Sequence, residues 1–354
     1  MISKPKTRIA VLGAGLIGQK HIEHVAGEAE LVAIVDPDPA AKALSERYST
    51  KWAASLSDLL STDRPDGVII ATPTPMHGEI AMQCIANGIP ALIEKPITAD
   101  VKEAQTLVGA ARDAGVPLLV GHHRRYNPII RKAKELIEAG CLGRIVSINA
   151  LFWIYKPDEY YEVSWRRQKG AGPILTNLIH DIDLMRYLCG DVFNVQAQET
   201  AATRGHEVED SAVILLGFAN GALGTMTVSD TIVAPWSWEL TAGENAAYPH
   251  TNQSCYMIGG SRGSLSLPDL GLWHYGDSQG WFEPISRDSL ISEHHDPLVQ
   301  QIRHFCDVIA GTTEPHVSGH EGMESLRVLD AIKEAATTGS RIHLANQALN
   351  RDRA

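Results

Sequence analysis

The segment "RIAVLGAGLIGQKHIEHV" restricts the fold more than any other part of the chain. Ile9 to Leu12 form a short apolar run, Gly13-x-Gly15-x-x-Gly18 follows, and apolar residues then recur at helical spacing. In a strand–turn–helix unit the three glycines have separate tasks: the tight turn, close approach of backbone to a pyrophosphate, and close packing of helix on strand. The first amides of the helix lack intrahelical acceptors and face an anion. A second strand, "LVAIVD", ends at Asp36, about 20 residues past the glycines, where dinucleotide-binding units place an acid on the ribose hydroxyls. Gly13, Gly15, Leu16, Ile17, Gly18 and Asp36 are therefore expected to hold a dinucleotide. A carboxylate at position 36 repels the additional phosphate of NADP, and no Arg follows it immediately. NAD is expected in preference to NADP.

The next stretches continue the alternation. "DGVIIATPTPMH" reads as a buried parallel strand breaking at Thr72-Pro73, followed by a helix from about His77 to Asn87 that Gly88 stops. "PALIEKP" supplies a strand, a helix runs from about Asp100 to Ala114, and "VPLLVG" supplies another strand. Strands and helices alternating at this length predict a doubly wound α/β parallel sheet, with ligands at the carboxyl ends of the strands. Thr72, Pro73, His77, Glu94 and Lys95 then stand at the cleft rim beside the cofactor. Glu94 and Lys95 end a strand that reads as buried, and charges are rarely delivered there without a task.

At 354 residues the chain is long enough for two domains. The boundary is expected near residue 124, giving a nucleotide-binding domain over 1–124 and an α+β domain over 125–354. After "GHHRRYNP" a helix from about Pro128 to Ala139 leads into "RIVSINALFWIY", where Val146, Ile148, Ala150, Phe152 and Ile154 alternate as one face of a strand. "DSAVILLGFANGALGTMTVSD" is a hairpin about Asn220-Gly221, and "SCYMIGGSRGSLSLPD" is a further strand pair. Hairpin-linked strands predict a large antiparallel sheet. Two helices, Leu298 to Gly311 and Glu321 to Thr338, cover it or return to the first domain.

Between strand and hairpin lies "SWRRQKGAGPILTNLIHDIDLMRYLCG". From Ile174, the residues Leu175, Leu178, Ile179, Ile182, Met185 and Leu188 form an apolar stripe at helical period, with Thr176, Asn177, His180, Asp181 and Asp183 on polar flanks. Thr176 and Asn177 are spaced to share one side of the helix with His180. Gly170 and Gly172 let that helix begin close against something.

Bulk properties exclude several classes. The chain is 44% hydrophobic and 21% charged, with a net charge of −11, and "HHRRY" is its one basic cluster. Nucleic acid and anionic membrane are unsuited partners. The apolar runs fall short of the roughly 20 residues of a membrane helix, and the N-terminus passes directly into a strand, so a cytoplasmic location is expected. The five cysteines, Cys84, Cys141, Cys189, Cys255 and Cys306, lie far apart with no C-x-x-C, which suits reduced core residues and neither a disulfide framework nor a metal site.

Taken in order, the glycine turn, "ATPTPMH", "EKP", "GHHRRYNP", "WRRQKGAGPILTNLIHDIDLMRYL" and "EHHDPLVQQIRHFCDVIAG" resemble the glucose–fructose oxidoreductase, inositol dehydrogenase and MocA family over nearly the whole chain. The resemblance implies a Rossmann domain and an open-faced sheet domain that makes homodimers or homotetramers. It implies NAD(P)-dependent oxidation or reduction of a sugar, cyclitol or related hydroxyl compound, with Lys95 and His180 in catalytic positions and Pro96 as a cis-proline. Thr176 stands where many members carry an aspartate, and Ala171 where glycine is common.

The chemistry agrees with that resemblance. Oxidising a secondary carbinol leaves a hydroxyl proton, which suits an imidazole base at His180, with Lys95 stabilising the developing alkoxide. Arg124, Tyr126, Asn127, Trp165, Thr176 and Asn177 complete the expected substrate side; Arg124, Arg125 and Arg166 leave open both a carboxylate- or sulfonate-bearing sugar and a purely structural pairing with Asp or Glu. Two alternatives remain at this point: a glycosidase that uses bound NAD for transient oxidation, and a non-catalytic nicotinamide-binding sensor.

Overall fold

Ile9, Ala10, Val11 and Leu12 are closed to solvent on both sides, as a central parallel strand requires. They belong to β1 (Arg8–Leu12), the third strand of a parallel sheet in a computed structural model that describes residues 6–344. The first five residues, where the chain was expected to run into this strand, lie outside the described range. Two units form, residues 6–126 with 295–326, and residues 127–294 with 327–344.

In the first unit β1 is followed by α1 (Leu16–Glu28), β2 (Glu30–Val35), α2 (Ala41–Arg47), β3 (Lys51–Ala53) and α3 (Leu56–Leu60). Then come β4 (Gly67–Ile70), α4 (His77–Ala86), β5 (Ala91–Ile93), α5 (Val101–Ala114) and β6 (Leu118–Val120). The strand order β3-β2-β1-β4-β5-β6 reverses direction of growth between β1 and β4, which sets the ligand crevice at their carboxyl ends. Alternate residues feed two cores: Ala10, Leu12, Val35 and Ile70 on one face, Ile9, Val11, Ile34 and Ile69 on the other. α5 shows why local sequence sufficed here, because Asp100 accepts the Glu103 amide at 2.8 Å and Gly115 closes the helix at φ 64°. The helix Pro297–Ile309 packs Ile302, Phe305 and Val308 on the second face, so close that a Cβ at Gly67 would stand 2.4 Å from Ile309 Cδ1.

The second unit is built on β7 (Ile145–Trp153), β8 (Val192–Thr200), β9 (Ser211–Phe218), β10 (Leu223–Ser229), β11 (Tyr256–Gly260), β12 (Gly263–Leu267), β13 (Gly271–Tyr275), β14 (Ile285–Ser289) and β15 (Ile342–His343). They form one sheet in the order β14-β13-β12-β11-β7-β10-β9-β8-β15. Every neighbouring pair is antiparallel except β7 with β10, so the expected antiparallel sheet is mixed at its centre. The turn at Asn220-Gly221 joins β9 to β10 with Gly221 at φ 87°. One face carries Ile148, Ala150, Phe152, Ile214, Leu216 and Met226 into a core shared with the helices Pro128–Glu138 and Leu178–Cys189. The other face leaves Val213, Leu215 and Leu223 exposed.

Two expectations are corrected. Val146 is exposed and Ile145 is buried, because the β7–β11 register slips between Gly259 and Gly260 and shifts the alternation at the start of β7. Cys141 is exposed, in the turn that follows the helix Pro128–Glu138, while Cys84, Cys189 and Cys255 are buried. No helix among the described residues is long and apolar enough to cross a membrane.

Candidate active site

The three glycines divide their work as the sequence pattern requires. Gly13 turns at φ 94°, and a Cβ there would stand 2.5 Å from the Ala71 carbonyl oxygen. Gly18 presses on Gly13, where a Cβ would meet the carbonyl oxygen at 2.0 Å. Gly15, the N-cap of α1, faces open space. Leu16 and Ile17 follow it as the first helical residues, with no acid in that turn to repel a phosphate. The Asp36 carboxylate accepts the Ala14 amide at 2.7 Å and the Asp38 amide at 2.9 Å, which fixes it beside the turn. Ala14, Gly15, Asp36, Asp38 and Arg47 are among the residues that line a cavity of about 640 Å³. Arg47 was not expected there; it lies too far along the chain from Asp36 for spacing to reveal it. The backbone room at Gly15, the bare helix terminus and the fixed carboxylate fit a dinucleotide.

At the ends of β4 and β5 several of the expected residues have partners within the protein. His77 lies buried with Nδ1 2.9 Å from the Pro96 carbonyl oxygen and Nε2 2.9 Å from that of Thr72, so its ring braces two turns. The Thr72 Oγ1 is buried without a partner, and Pro73 is exposed. The Lys95–Pro96 bond is cis. Glu94 is buried, with Oε1 2.7 Å from His21 Nε2 and Oε2 3.2 Å from the Lys95 amide. Burial alone would raise this carboxyl, but the His21 hydrogen bond and the charges of His21, Lys95 and His123 outweigh it and hold the group at about 2. A Cβ at Gly121 would fall 2.9 Å from the Glu94 carboxyl carbon, so glycine there makes the space.

Of the residues expected on the substrate side, several have structural duties. Tyr126 is buried in the first unit's core, its ring 5.5 Å from that of His304 and 5.3 Å from that of His316. Arg124 is 4% exposed, and its neighbour Arg125 pairs with Glu321 at 2.9 Å. Asn127 caps the helix Pro128–Glu138 through the Ile129 amide and donates to Glu244 at 2.8 Å. Trp165, by contrast, is exposed in the short helical turn Ser164–Arg167 of the second unit.

The helix carrying His180 differs from its expected form. It breaks at Asn177 (φ −115°, ψ −51°) into Pro173–Thr176 and Leu178–Cys189, and on its polar flank His180, Asp181 and Asp183 are buried while Thr176 and Asn177 are partly so. Side-chain hydrogen bonds at Thr176 and Asn177 accompany the break, one of them from outside the helix. The Thr176 hydroxyl lies 2.9 Å from the Gly172 carbonyl oxygen and 3.0 Å from Asn177 Oδ1, and Asn177 Oδ1 also accepts from Lys156 Nζ at 2.8 Å. Asp181 accepts the Tyr256 hydroxyl. The object that Gly172 was expected to approach is Glu209: a Cβ at 172 would stand 2.3 Å from its carboxyl carbon, which takes the Ile174 amide at 3.2 Å and Lys333 at 3.0 Å. Lys156 was missed by sequence reasoning. Burial pulls its ammonium below the ordinary lysine range, against the attraction of Asp230 at 3.7 Å.

A parallel sheet of this order, with glycines in these roles at its first turn, defines a dinucleotide-binding protein. The chain belongs to the GFO/IDH/MocA oxidoreductases: residues 7–122 match the NAD-binding Rossmann domain of that family and residues 130–266 match its C-terminal domain. It is an NAD-binding oxidoreductase. The rhizopine catabolism protein MocA of Rhizobium meliloti is 29% identical over 62% of this chain and 70% of its own length. An inositol 2-dehydrogenase of the same species is 24% identical over 96% of this chain and 99% of its own. Among solved structures, the WlbA dehydrogenase of Bordetella pertussis, in complex with NADH and UDP-GlcNAcA, is 28% identical with a TM-score of 0.76, over 96% of this chain and 99% of that one.

Proposed function

We propose that the protein transfers hydride between NAD, in preference to NADP, and a secondary hydroxyl or its carbonyl on a sugar, cyclitol or sugar acid, with Lys95 and His180 as the acid–base pair. The observation that carries this reading is the glycine turn, open at Gly15 and flanked by the fixed Asp36 carboxylate, within a chain of an oxidoreductase family. Bound NAD supplies the hydride acceptor. The chain's own task is the hydroxyl proton. An imidazole, with an unperturbed pKa of about 6.5, suits a base working near neutrality, so His180 is assigned the proton. Lys95 is assigned the hydrogen bond that stabilises developing alkoxide charge.

The relatives support a hydroxyl-rich substrate, since one is named for inositol and another was solved with UDP-GlcNAcA. Lys156, Asn177 and Trp165 supply donors and an aromatic face for it in the second unit. The exposed apolar face of the second unit's sheet supports a homodimer or homotetramer. The test is a panel of polyols, aldoses and uronic acids with NAD, followed at the NADH absorbance. NADH formation with at least one is expected, whereas NAD binding with no NADH from any of them contradicts the reading.

A further inference from the structure

A cavity of about 500 Å³ opens within the second unit, lined by Tyr155, Tyr161, Arg167, Arg204 and His206, with Asp158 and Glu162 at its wall. That volume is in the range of small-molecule sites. Its chemistry is specific. Two guanidiniums face two carboxylates, so the lining has no net charge with which to hold a phosphate or a polyanion. Tyr155 is half exposed and offers an aromatic ring, while Thr203 and Thr231 add hydroxyls. Flat rings beside paired donors and acceptors match a pyranose, whose C–H faces are apolar and whose edge is ringed with hydroxyls.

The walls are held before any ligand arrives. Arg204 bonds Asp158 at 3.0 Å, the Lys156 carbonyl oxygen at 2.6 Å and the Asp230 carbonyl oxygen at 2.9 Å, and lies over Tyr161 with 4.4 Å to the ring centre. Tyr161 donates to Asp230, and His206 packs on Tyr161 with its Nδ1 buried and unpartnered. Preorganised walls reduce the ordering cost of binding. The same network continues to the catalytic helix: Asp230 lies 3.7 Å from Lys156 Nζ, which donates to Asn177, and the Asn177 carbonyl oxygen accepts the His180 amide at 3.3 Å. Cavity wall and His180 are thus joined through Asp230, Lys156 and Asn177, the last step running through the backbone.

We propose that this cavity is a saccharide subsite that takes a second sugar ring, joined to the one that is oxidised, so that the substrate is a neutral glycoside or disaccharide. The inference rests on the dehydrogenase reading and narrows its substrate class. The test is calorimetric titration of the full-length, NAD-loaded protein with glucose, glucuronate, maltose, cellobiose, 4-nitrophenyl β-glucoside and UDP-glucuronate, repeated for Tyr155→Ala, Tyr155→Phe and Arg167→Ala. At least one neutral two-ring probe should bind about tenfold more tightly than glucose. Tyr155→Ala should erase that advantage while leaving glucose binding unchanged, and Tyr155→Phe should retain most of it, which separates a lost contact from a damaged fold. The proposal is overturned if glucose or glucuronate binds as tightly as every two-ring probe, if UDP-glucuronate binds best, if no probe binds, or if Tyr155→Ala changes nothing. Measuring NADH in the same samples separates the two readings: a two-ring probe that binds through Tyr155 without yielding NADH sinks the dehydrogenase, and a two-ring probe oxidised with the same KM by wild type and Tyr155→Ala sinks the subsite.

Discussion

His21 Nε2 and Glu94 Oε1 lie 2.7 Å apart in the interior of the first unit and tie the helix behind the glycine turn to the strand end that presents Lys95. Both side chains are nearly closed to solvent. Glu94, expected from sequence to meet the cofactor, thus has a buried partner that the spacing of 21 and 94 does not reveal.

Removing His21 leaves a buried carboxylate without its partner, and such losses cost about 3–5 kcal/mol. The sign of the pH dependence follows. In the wild type the Glu94 carboxyl is depressed to about 2, so its contribution is present above the unfolded carboxyl range and is lost only as the pH falls toward 2. In His21→Leu burial prevails and the carboxyl rises. The deficit in His21→Leu should therefore be largest at pH 7 and shrink by pH 4.5, as measured by urea unfolding at the two values. A deficit that grows on acidification would assign Glu94 a different partner.

For the cofactor, Asp36→Ser should weaken NAD and move the NAD-to-NADP ratio of kcat/KM toward NADP by about tenfold or more. Arg47 lines the same cavity, so Asp36→Ser with Arg47→Ala should regain none of the lost NAD affinity but should lose part of the gain toward NADP. Better wild-type efficiency with NADP would contradict the role given to Asp36.

Thr176 bonds Gly172 and Asn177. An aspartate there would place a negative charge within a turn of His180 and stabilise its imidazolium. Thr176→Asp should move the acidic limb of the kcat/KM profile to higher pH and weaken glucuronate more than glucose. A limb that stays in place would mean that His180 is not the titrating base.

Val213, Leu215 and Leu223 project from the uncovered face of the sheet, respectively 51%, 53% and 65% exposed. Leu215→Asp with Leu223→Asp should lower the mass seen by light scattering to that of a single chain while the circular dichroism spectrum is unchanged. A wild type that is already monomeric would remove the basis for the interface.

What was legible follows the range of the interactions involved. The turn from Gly13 to Gly18, the Asp100 cap and the Asn220-Gly221 hairpin depend on neighbours within a few residues, and each left a local signal; Gly172 signalled a close approach but not its object, Glu209. β3 and β8 were missed: β3 has three residues, and β8 alternates weakly, with a bulge between Val192 and Asn194. The reversed side of Val146 depends on its being skipped in the pairing of β7 with β11, a strand more than a hundred residues away. The break at Asn177 depends on Lys156, which sequence spacing gave no reason to place against it. The neighbours of Tyr126 and Asn127, namely His304, His316 and Glu244, are brought in from distant segments and left no signal near residue 126.

The most direct test of the central claim is single-turnover hydride transfer in Lys95→Ala, His180→Ala and the double variant, with NAD binding measured alongside. Each single change should slow transfer by about 10²–10⁴-fold with NAD still bound, and the double variant should be far faster than the product of the two losses would give. Losses that multiply, or a His180→Ala enzyme that transfers hydride at the wild-type rate, would contradict the assignment of these two residues as an acid–base pair.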